Sequence, residues 1–385
     1  MLLNRRRDVV KRSNALLLAF LLPAILGAAE HWSVQYFYDK NKSTLTINDL
    51  KCPSATRGVA VGFLTEGRKR QPVSLLTSDG GATWTIQNTK EVGQSLFFLN
   101  ESVGWMVTPG GLWKTVESGR SWRKLPSGAA TKYLLQVCFL DENKGWAVGA
   151  RKSAYKTSDG GKTWSRVAEA AQVNSKVENT TFTTVSFADY KNGMIVGQSM
   201  PPQPDTRLQS WEGRLPAWMV PERSNRREVP HLTVVLETRD GGSTWKPSTT
   251  SVFGQIAKVV LSPDGMAMSL FQFRDAFDYP AEVYAWNWQT GGSPRAFANA
   301  ERAVTDIAFS ASGTAYLAAI EPPGRLKWGP VPGKLKLLKS ANLKDWKEMD
   351  VDYRAVASNA VVSAVDDTHA WVATDTGMIL KLVQD

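Results

Sequence analysis

Histidine and cysteine are scarce in this chain, and their scarcity limits the chemistry that it can perform. The 385 residues include three histidines, far apart in sequence, and two cysteines. Neither an HExxH nor a CxxC spacing occurs, so we expect no zinc site, no other bound metal and no cofactor. The sequence also lacks the GxSxG turn of α/β-hydrolases and the GxxxxGK[ST] loop that binds nucleotide phosphates.

The excess of basic over acidic residues is small. Lysine and arginine number 46 and aspartate and glutamate 36, which gives a formal net charge of +10. The first 29 residues contain five of the basic residues and one acid, so about +6 remains for the rest of the chain. This mild excess does not require nucleic acid, and no nucleic-acid-binding motif is present. We therefore expect no nucleic-acid partner.

The first 29 residues have the features of an export signal. A basic region that includes Arg5, Arg6 and Arg7 precedes an apolar stretch of 13 residues, 15–27, and small residues follow at 27–29. The stretch is short for a membrane span, which needs about 20 residues, although a retained anchor stays open. The Arg6-Arg7 pair also fits a twin-arginine export pattern. We predict a signal peptide at 1–29 and a periplasmic or secreted protein.

A short pattern occurs four times and indicates the architecture. Its copies, of the form Thr-x-Asp/Glu-x-Gly-x-Thr/Ser-Trp, span residues 77–84, 115–122, 157–164 and 238–245, and a degenerate copy covers 340–346. Successive tryptophans are 38, 42, 81 and 101 residues apart. Because the last two steps are about double the first two, each contains an insertion or a degenerate repeat. A period near 40 residues with strand-like flanks is typical of the blades of a β-propeller.

Each copy lies between two strand-like runs, and we interpret it as a turn. The acidic side chain can bond nearby backbone N–H groups, glycine supplies positive φ, and tryptophan buries a large apolar face. A catalytic role for the repeated carboxylates is the alternative, and we favour the structural role. The residues assigned to this role are Asp79, Trp84, Glu117, Trp122, Asp159, Trp164, Asp240, Trp245 and Trp346.

A second element, Gly-Trp-x-Val or a close variant, precedes the turns. It occurs at residues 104–107, 145–149 and 193–197, with a related sequence at 370–373. An alternating apolar run such as 134–140 comes before it. Each unit therefore reads as four antiparallel strands, with the acidic turn between the third and fourth. Seven units can be counted, of which the fifth and sixth depart from the pattern and the seventh has only three strands.

The missing strand has a donor before the first unit. Residues 32–38 are strand-like, and pairing them with 378–383 would close the ring and leave no open sheet edge. We predict an all-β fold, a seven-bladed β-propeller of four-stranded antiparallel blades over 30–385, closed by an N-terminal strand. Inserts are expected at 200–230 and 321–334. Cys52 and Cys138 fall in units that are not neighbours, so we favour two separate buried thiols over a disulfide.

The acidic turn resembles the Asp-box, also called the BNR repeat, Ser/Thr-x-Asp-x-Gly-x-Thr-Trp. The four good copies match it residue for residue, apart from Glu117 and Ser121. With the Gly-Trp-x-Val-Gly strand, the boxes make nearly all of the mature chain similar to the photosystem II stability/assembly factor type of propeller. That resemblance implies an assembly or stability factor for a membrane or envelope complex. It does not by itself establish a photosystem partner.

A secreted glycoside hydrolase of sialidase type is the alternative function, because sialidases also carry Asp-boxes. Sialidases have an Arg-Ile-Pro-like motif before the first box, whereas the similar tripeptide here, residues 214–216, follows three boxes. Glycosidases that use paired carboxylates need no local motif. The acids near strand ends that could serve them are Asp39, Asp49, Asp141, Asp189, Asp306, Asp366 and Asp367. Polar turns explain these acids more simply, so we favour a protein without catalytic residues.

The two inserts are the predicted binding surface, since loops on a rigid scaffold often carry function. Both combine tryptophan with arginine or lysine among prolines, and aromatic residues and arginine are enriched at protein interfaces. Loops that merely fold over a blade edge are the alternative. The residues predicted to bind are Trp211, Arg214, Trp218, Arg226, Arg227, Arg325, Lys327 and Trp328. We expect a monomer that binds a protein or peptide partner.

Overall fold

The computed structural model describes residues 30–40, 42–200, 227–262, 264–287, 290–321 and 332–385. Within these ranges the regular structure is 29 β-strands, one short α-helix, α1 (Ala168–Gln172), and one 3-10 turn at Ala129–Thr131. The strands form five separate four-stranded sheets and one larger sheet that contains two blades. The predicted all-β propeller of seven blades is confirmed. No helix in the described part of the chain is both long and apolar enough to cross a membrane.

The strands follow chain order within each blade, and neighbouring strands are antiparallel. The first strand of the chain, β1, belongs to the last blade. The strand β1 spans Glu30–Phe37, blade one consists of β2 (Ser43–Lys51), β3 (Gly58–Glu66), β4 (Lys69–Thr77) and β5 (Thr85–Asn88), and blade two of β6 (Ser95–Phe98), β7 (Gly104–Thr108), β8 (Gly111–Thr115) and β9 (Arg123–Lys124). Blade three consists of β10 (Leu134–Phe139), β11 (Gly145–Gly149), β12 (Ser153–Thr157) and β13 (Ser165–Arg166), blade four of β14 (Thr180–Phe187), β15 (Gly193–Ser199), β16 (Pro230–Thr238) and β17 (Lys246–Phe253), and blade five of β18 (Gln255–Leu261), β19 (Met266–Gln272), β20 (Ala281–Asn287) and β21 (Arg295–Ala298). Blade six consists of β22 (Ala303–Phe309), β23 (Ala315–Glu321), β24 (Gly333–Ser340) and β25 (Lys347–Val351), beside the short β26 (Val356–Ala357), and blade seven contains β27 (Ala360–Ala364), β28 (Ala370–Thr374) and β29 (Met378–Gln384).

The ring closes through β1, which supplies the fourth strand of blade seven. β1 pairs antiparallel with β29, in a register that runs from Glu30 opposite Gln384 to Phe37 opposite Met378. It also pairs in parallel with β25 of blade six, at His31 and Trp32. The predicted pairing of the N-terminal strand with 378–383 is therefore confirmed. Tyr38 lies just beyond the strand, and its N–H donates to the carbonyl of Gly377 at 3.1 Å.

The core lies between adjacent blades, where the second strand of one blade meets the first strand of the next. Trp105 and Trp146, both in second strands, are at most 1% exposed. Trp105 stacks on Phe139 of blade three with ring centroids 3.7 Å apart, and Trp146 lies 4.3 Å from Phe187 of blade four. The tryptophan of the Gly-Trp-x-Val motif thus supplies the aromatic contact that joins blade two to blade three and blade three to blade four.

The connections between strands place the boxes and the inserts at opposite faces of the ring. Each box joins the third and fourth strands of its blade, whereas both predicted inserts connect a second strand to a third. Because successive strands run in opposite directions, these two kinds of connection emerge at opposite faces. Residues 201–226 and 322–331 of the inserts lie outside the described residues. β24 begins at Gly333, so residues 333 and 334 of the second predicted insert are strand.

Candidate functional site

The acidic residue of each Asp-box holds its own turn together. Oδ1 of Asp159 accepts the backbone N–H of Thr163 at 2.9 Å, and Oδ2 accepts the Thr163 hydroxyl at 2.5 Å. The hydroxyl of Thr157 donates to Oδ1 at 2.8 Å and accepts the N–H of Gly161 at 3.0 Å. Hydrogen bonds of this kind from hydroxyl and backbone donors, chiefly at Thr83 and Thr163, lower the pKa of Asp79 and Asp159 to about 2.

The second, fourth and degenerate copies form the same kind of turn, and the second and the degenerate copy do so with different residues. Asp240 repeats the same contacts with Thr244, and in the second copy Oε2 of Glu117 accepts the Ser121 hydroxyl at 2.6 Å. In the degenerate copy Oδ1 of Asn342 accepts the N–H of Asp345 at 2.8 Å. The box tryptophans lie against the blades: Trp84 and Trp245 are buried, and Trp122, Trp164 and Trp346 are half-buried.

Each box is attached to its own blade, although residues of the third and fourth boxes also line a common pocket. Each binds the turn between the first and second strands of its own blade, as when the N–H of Gly80 donates to the Thr56 carbonyl and that of Gly160 to the Asn143 carbonyl, both at 2.9 Å. Neither Asp159 nor Asp240 lines the pocket that their two boxes share, and Asp79 lies in blade one, which is not next to theirs.

Of the predicted binding residues, only Arg227 lies within the described part of the chain. Trp211, Arg214, Trp218, Arg226, Arg325, Lys327 and Trp328 lie outside the described residues. Arg227 is exposed and forms an isolated parallel bridge with Ala276 of blade five. Next to it, the buried Glu228 accepts the N–H of Asp275 at 2.7 Å and lies 3.2 Å from Nε2 of His231. These contacts attach the end of the first insert to the blade-five loop between β19 and β20.

An aromatic cluster near this attachment was not predicted. Phe277 stacks on Phe273 with ring centroids 4.0 Å apart and on Phe253 at 5.5 Å. Phe253 and Phe277 stay 47% and 38% exposed, so they contribute apolar surface to the face of the ring that carries the inserts. The sequence signal for the cluster is weak, because its members come from the end of β17 and from the loop between β19 and β20.

A central channel is enclosed by the first strands of the blades. Its cavity volume is about 570 Å³, and residues from all seven blades line it. Every first strand has one lining residue that comes directly before a buried apolar residue of the core, and these lining residues occupy equivalent positions in the seven blades. We call these seven lining residues the channel ring: Asp49, Ser95, Gln136, Thr184, Lys258, Asp306 and Val361.

Three members of the channel ring bridge neighbouring blades. First strands have no strand partner on the channel side, so some of their backbone N–H groups need side-chain acceptors. Oδ2 of Asp49 accepts the N–H of Leu96 at 2.7 Å, and Oδ2 of Asp306 accepts that of Val362 at 2.9 Å. Gln136 provides the same contact to Val185 at 2.8 Å. In each case the acceptor lies one blade before its donor.

Two lysines complete a charged cluster in the channel. Nζ of Lys51 lies 2.7 Å from Oδ1 of Asp49, and Nζ of Lys258 lies 2.6 Å from Oδ1 of Asp306. Burial of the Lys51 ammonium acts to lower its pKa, but the carboxylates of Asp49 and Asp306 outweigh burial and raise the pKa above its ordinary value. Lys51 is therefore a firmly protonated cation at neutral pH.

The acids considered for catalysis are mostly turn residues. Asp141, Asp189 and Asp366 each accept two backbone N–H groups in the turn between the first and second strands of a blade. Asp367 accepts the Ser312 hydroxyl at 2.5 Å, and Asp39 is exposed. Only Asp49 and Asp306 face the channel. Within the described ranges, no group of three or more His, Cys, Asp or Glu side chains could hold a metal ion, and both cysteines are buried and free.

Comparison with known proteins places this architecture in a class. Residues 129–203 match the family described as photosynthesis system II assembly factor YCF48. A search of curated proteins found no match. The chain is an Asp-box, or BNR-repeat, β-propeller, and the match covers the third blade and part of the fourth.

The solved structures extend the similarity over the whole ring. A structure described as YCF48 bound to D1 peptide has 18% identity and a TM-score of 0.57, and the alignment covers 92% of this chain and 98% of that one. YCF48 from Cyanidioschyzon merolae has 15% identity and a TM-score of 0.56, with the same coverage. The WD40 propeller domain of Doa1 has 10% identity, a TM-score of 0.55, and coverage of 93% and 98%. At these identities the structural likeness establishes the fold. Together with the family match, it confirms the resemblance to the photosystem II assembly factor type of propeller.

Proposed function

We propose that this protein is a non-enzymatic, exported propeller that binds a segment of another protein and assists the assembly or stability of a membrane or envelope complex. The observation that carries the proposal is the arrangement of polar groups in the channel. Three side-chain acceptors hold neighbouring blades together, and the lysine ammonium groups have hydrogen-bond donors that the described residues do not use. A solved propeller that the chain resembles is described as bound to a peptide. The family match to an assembly factor supports the same class of function.

The alternative of a glycoside hydrolase is not favoured. A glycosidase of the paired-carboxylate type needs one protonated and one ionised acid on either side of the scissile bond. In the channel, Asp49 and Asp306 each accept a backbone N–H and a lysine ammonium, so the oxygens of both carboxyl groups are already engaged as hydrogen-bond acceptors. Neither carboxyl group is placed to donate a proton to a leaving group.

Binding is tested with the full chain, expressed with its own first 29 residues and a C-terminal affinity tag. Detergent-solubilised envelope membranes are passed over the immobilised protein, and retained proteins are quantified by mass spectrometry. We expect the subunits of one membrane complex in near-stoichiometric amounts. In parallel, fluorogenic sialosides and β-glycosides are incubated with the protein. Hydrolysis that is lost in Asp306→Asn, or retention of no defined complex, would overturn the proposal.

Export is tested separately. The segment 1–29 combines a basic region, an apolar stretch and small residues, which supports removal during secretion. The tagged chain should appear in the periplasmic or extracellular fraction with a new N-terminus near residue 30, whereas a chain that starts at residue 30 should stay in the cytoplasm. A full-length chain that remains in the cytoplasm would contradict export.

A further inference from the structure

The ammonium groups in the channel have hydrogen-bond donors that the protein does not use. Each lysine ammonium carries three N–H donors. Within the described residues Lys258 donates to Asp306 alone, and Lys51 donates to Asp49 and, at 3.2 Å, to the Leu50 carbonyl. Two donors of Lys258 and one of Lys51 are therefore left facing the cavity, although both side chains are largely buried, at 24% and 33% exposed.

The carboxylates of the same cluster are already occupied. Asp49 accepts the N–H groups of Leu50 and Leu96 as well as its lysine, and Asp306 accepts the N–H of Val362 as well as its lysine. These backbone dipoles reduce the negative field that the carboxylates project into the cavity. The groups available to a ligand are cationic donors, although the four side chains together have no net charge.

Lys258 differs from the three members of the channel ring that accept an N–H from the next blade. At the equivalent place Asp49, Gln136 and Asp306 each accept an N–H from the next blade, which holds the inner strands together. A lysine cannot accept a hydrogen bond, so it cannot bridge the blades in this way. An ammonium at this place reaches the carboxylate of the next blade and keeps two donors directed at the cavity. The ion pair joins blades five and six, but it uses only one of the three donors.

We infer that the central channel is a carboxylate-binding site, in which Lys51 and Lys258 donate hydrogen bonds to a carboxylate of a bound peptide segment. This inference rests on the proposed function and names the chemistry that the partner presents. A cavity of about 570 Å³ lies in the range of small-ligand sites, roughly 300–1,000 Å³, and suits a few residues of an extended peptide. The ring is closed, so the segment enters from a mouth of the channel and presents its carboxylate, at a C-terminus or on an acidic side chain, to the two ammonium groups.

The test uses a library of random heptapeptides displayed with free C-termini and panned against the full-length protein. Enriched peptides are synthesised in three forms, namely as selected, with an amidated C-terminus, and with Asp and Glu replaced by Asn and Gln. The affinity of each is measured by fluorescence anisotropy for the wild type and for Lys51→Gln and Lys258→Gln. The matched control is Lys336→Gln, because Lys336 is also ion-paired and 24% exposed but lies on β24, away from the channel.

Removal of the carboxylate, or of either channel lysine, should weaken binding about tenfold or more, the scale of a hydrogen bond between charged groups. Lys336→Gln should not weaken it. Loss on amidation assigns the carboxylate to the C-terminus, and loss on the Asn and Gln replacements assigns it to a side chain. Peptides that bind equally well without a carboxylate would overturn the inference and leave the proposed function standing. A library that yields no binding peptide would contradict both.

Folding of the variants is checked by thermal melting. If Lys258→Gln lowers the melting temperature because Asp306 is left without its lysine, the double variant Lys258→Gln/Asp306→Asn removes both charges. It must show the same loss of affinity as the single variant. Lys258→Arg keeps the charge and the donors and should retain binding. Full affinity in the double variant would refute the site.

Discussion

The indole N–H of Trp32 points at the sulfur of Met349, 3.4 Å away, across the seam at which the ring closes. Trp32 lies in β1 and Met349 in β25 of blade six. Trp32 is 1% exposed, and its ring meets that of Tyr316 edge-on with the centroids 6.4 Å apart. A single side chain from the first strand therefore fills the space between the strands that close the propeller.

Replacing Trp32 with alanine should lower the free energy of unfolding by about 3–5 kcal/mol, as for other buried large aromatic residues. Guanidinium denaturation followed by fluorescence measures the loss. The control is Phe37→Ala in the same strand, because Phe37 is 52% exposed and should contribute little. Equal losses in the two variants would mean that β1 stabilises the ring through its backbone alone.

Gly242 of the fourth box should tolerate no side chain. Its φ is +75°, and an added Cβ would lie 2.2 Å from the Trp146 ring of the preceding blade. Gly242→Ala should therefore lower the free energy of unfolding by clearly more than the roughly 1–2 kcal/mol that left-handed backbone strain alone would account for. Gly291→Ala is the control, since Gly291 has φ +82° and open space around its Cβ position. If both substitutions lower the free energy of unfolding equally, the close contact between Gly242 and the Trp146 ring does not contribute to the packing of blade four on blade three.

The boxes should make the protein sensitive to acid. Asp79 and Asp159 have pKa values of about 2 in the folded state, below the ordinary value of 3.8. Their stabilising contribution is therefore complete above the unfolded-state pKa and is lost as the pH falls from about 4 towards 2. The difference in unfolding free energy between the wild type and Asp159→Asn should shrink over that window.

The degenerate box provides the reciprocal variant for this prediction. Asn342 accepts the same kind of backbone bonds without a titrating group, and its amide donates to Oδ2 of Asp345 at 2.8 Å. Asn342→Asp would place two carboxylates together, which raises their pKa, so this variant should be less stable than the wild type at neutral pH and should regain stability as the pH falls. Parallel pH profiles for the wild type and both variants would show that the box carboxylates contribute equally in the folded and unfolded states.

The bridge from Gln136 to Val185 should be measurable on its own. Gln136→Ala leaves the Val185 N–H without its acceptor, which should cost about 1–3 kcal/mol in chemical denaturation. Gln136→Glu keeps an acceptor oxygen and should lose less. An alanine variant as stable as the glutamate variant would show that water replaces this acceptor at no cost.

The tryptophans of the first insert are expected to contribute to partner binding. Replacing Trp211 and Trp218 with alanine should reduce capture of the membrane complex, because buried aromatic side chains supply much of the affinity of an interface. The melting temperature should change little. Unchanged capture with a large loss of stability would instead show that these residues cover the core.

The sequence was sufficient to predict the ring because its repeated residues make local contacts. Asp159 and Thr163 are four residues apart, so the box is visible as a pattern and its hydrogen bonds follow from the chemistry of the turn. The closing strand could be predicted because one unit lacked a strand and a strand-like segment was left over.

The channel was harder to predict, because its chemistry joins residues that are distant in sequence. Asp306 accepts a hydrogen bond from Val362, 56 residues away, and one from Lys258, 48 residues before it. From the sequence, Asp49 and Asp306 are recognisable only as acids near strand ends. For Asp306, a charged residue within the largely apolar β22 is a further signal, whereas β2 contains several other polar residues and offers none for Asp49. The aromatic cluster of Phe253, Phe273 and Phe277 depends on contacts between the end of β17 and the loop between β19 and β20, which no periodic pattern predicts.

Closure by β1 also determines the order in which the protein can be completed during synthesis. Glu30 and Gln384 are neighbours in the sheet and 354 residues apart in sequence. Each of the first six blades can form from chain that has just emerged, but β1 has to wait for β29, whose Gln384 is made 354 residues after Glu30. Until then blades six and seven each expose an unpaired edge to proteases and to other chains. Pairing of β1 with the seven residues of β29 thus covers the edges at which proteases and other chains could otherwise attack.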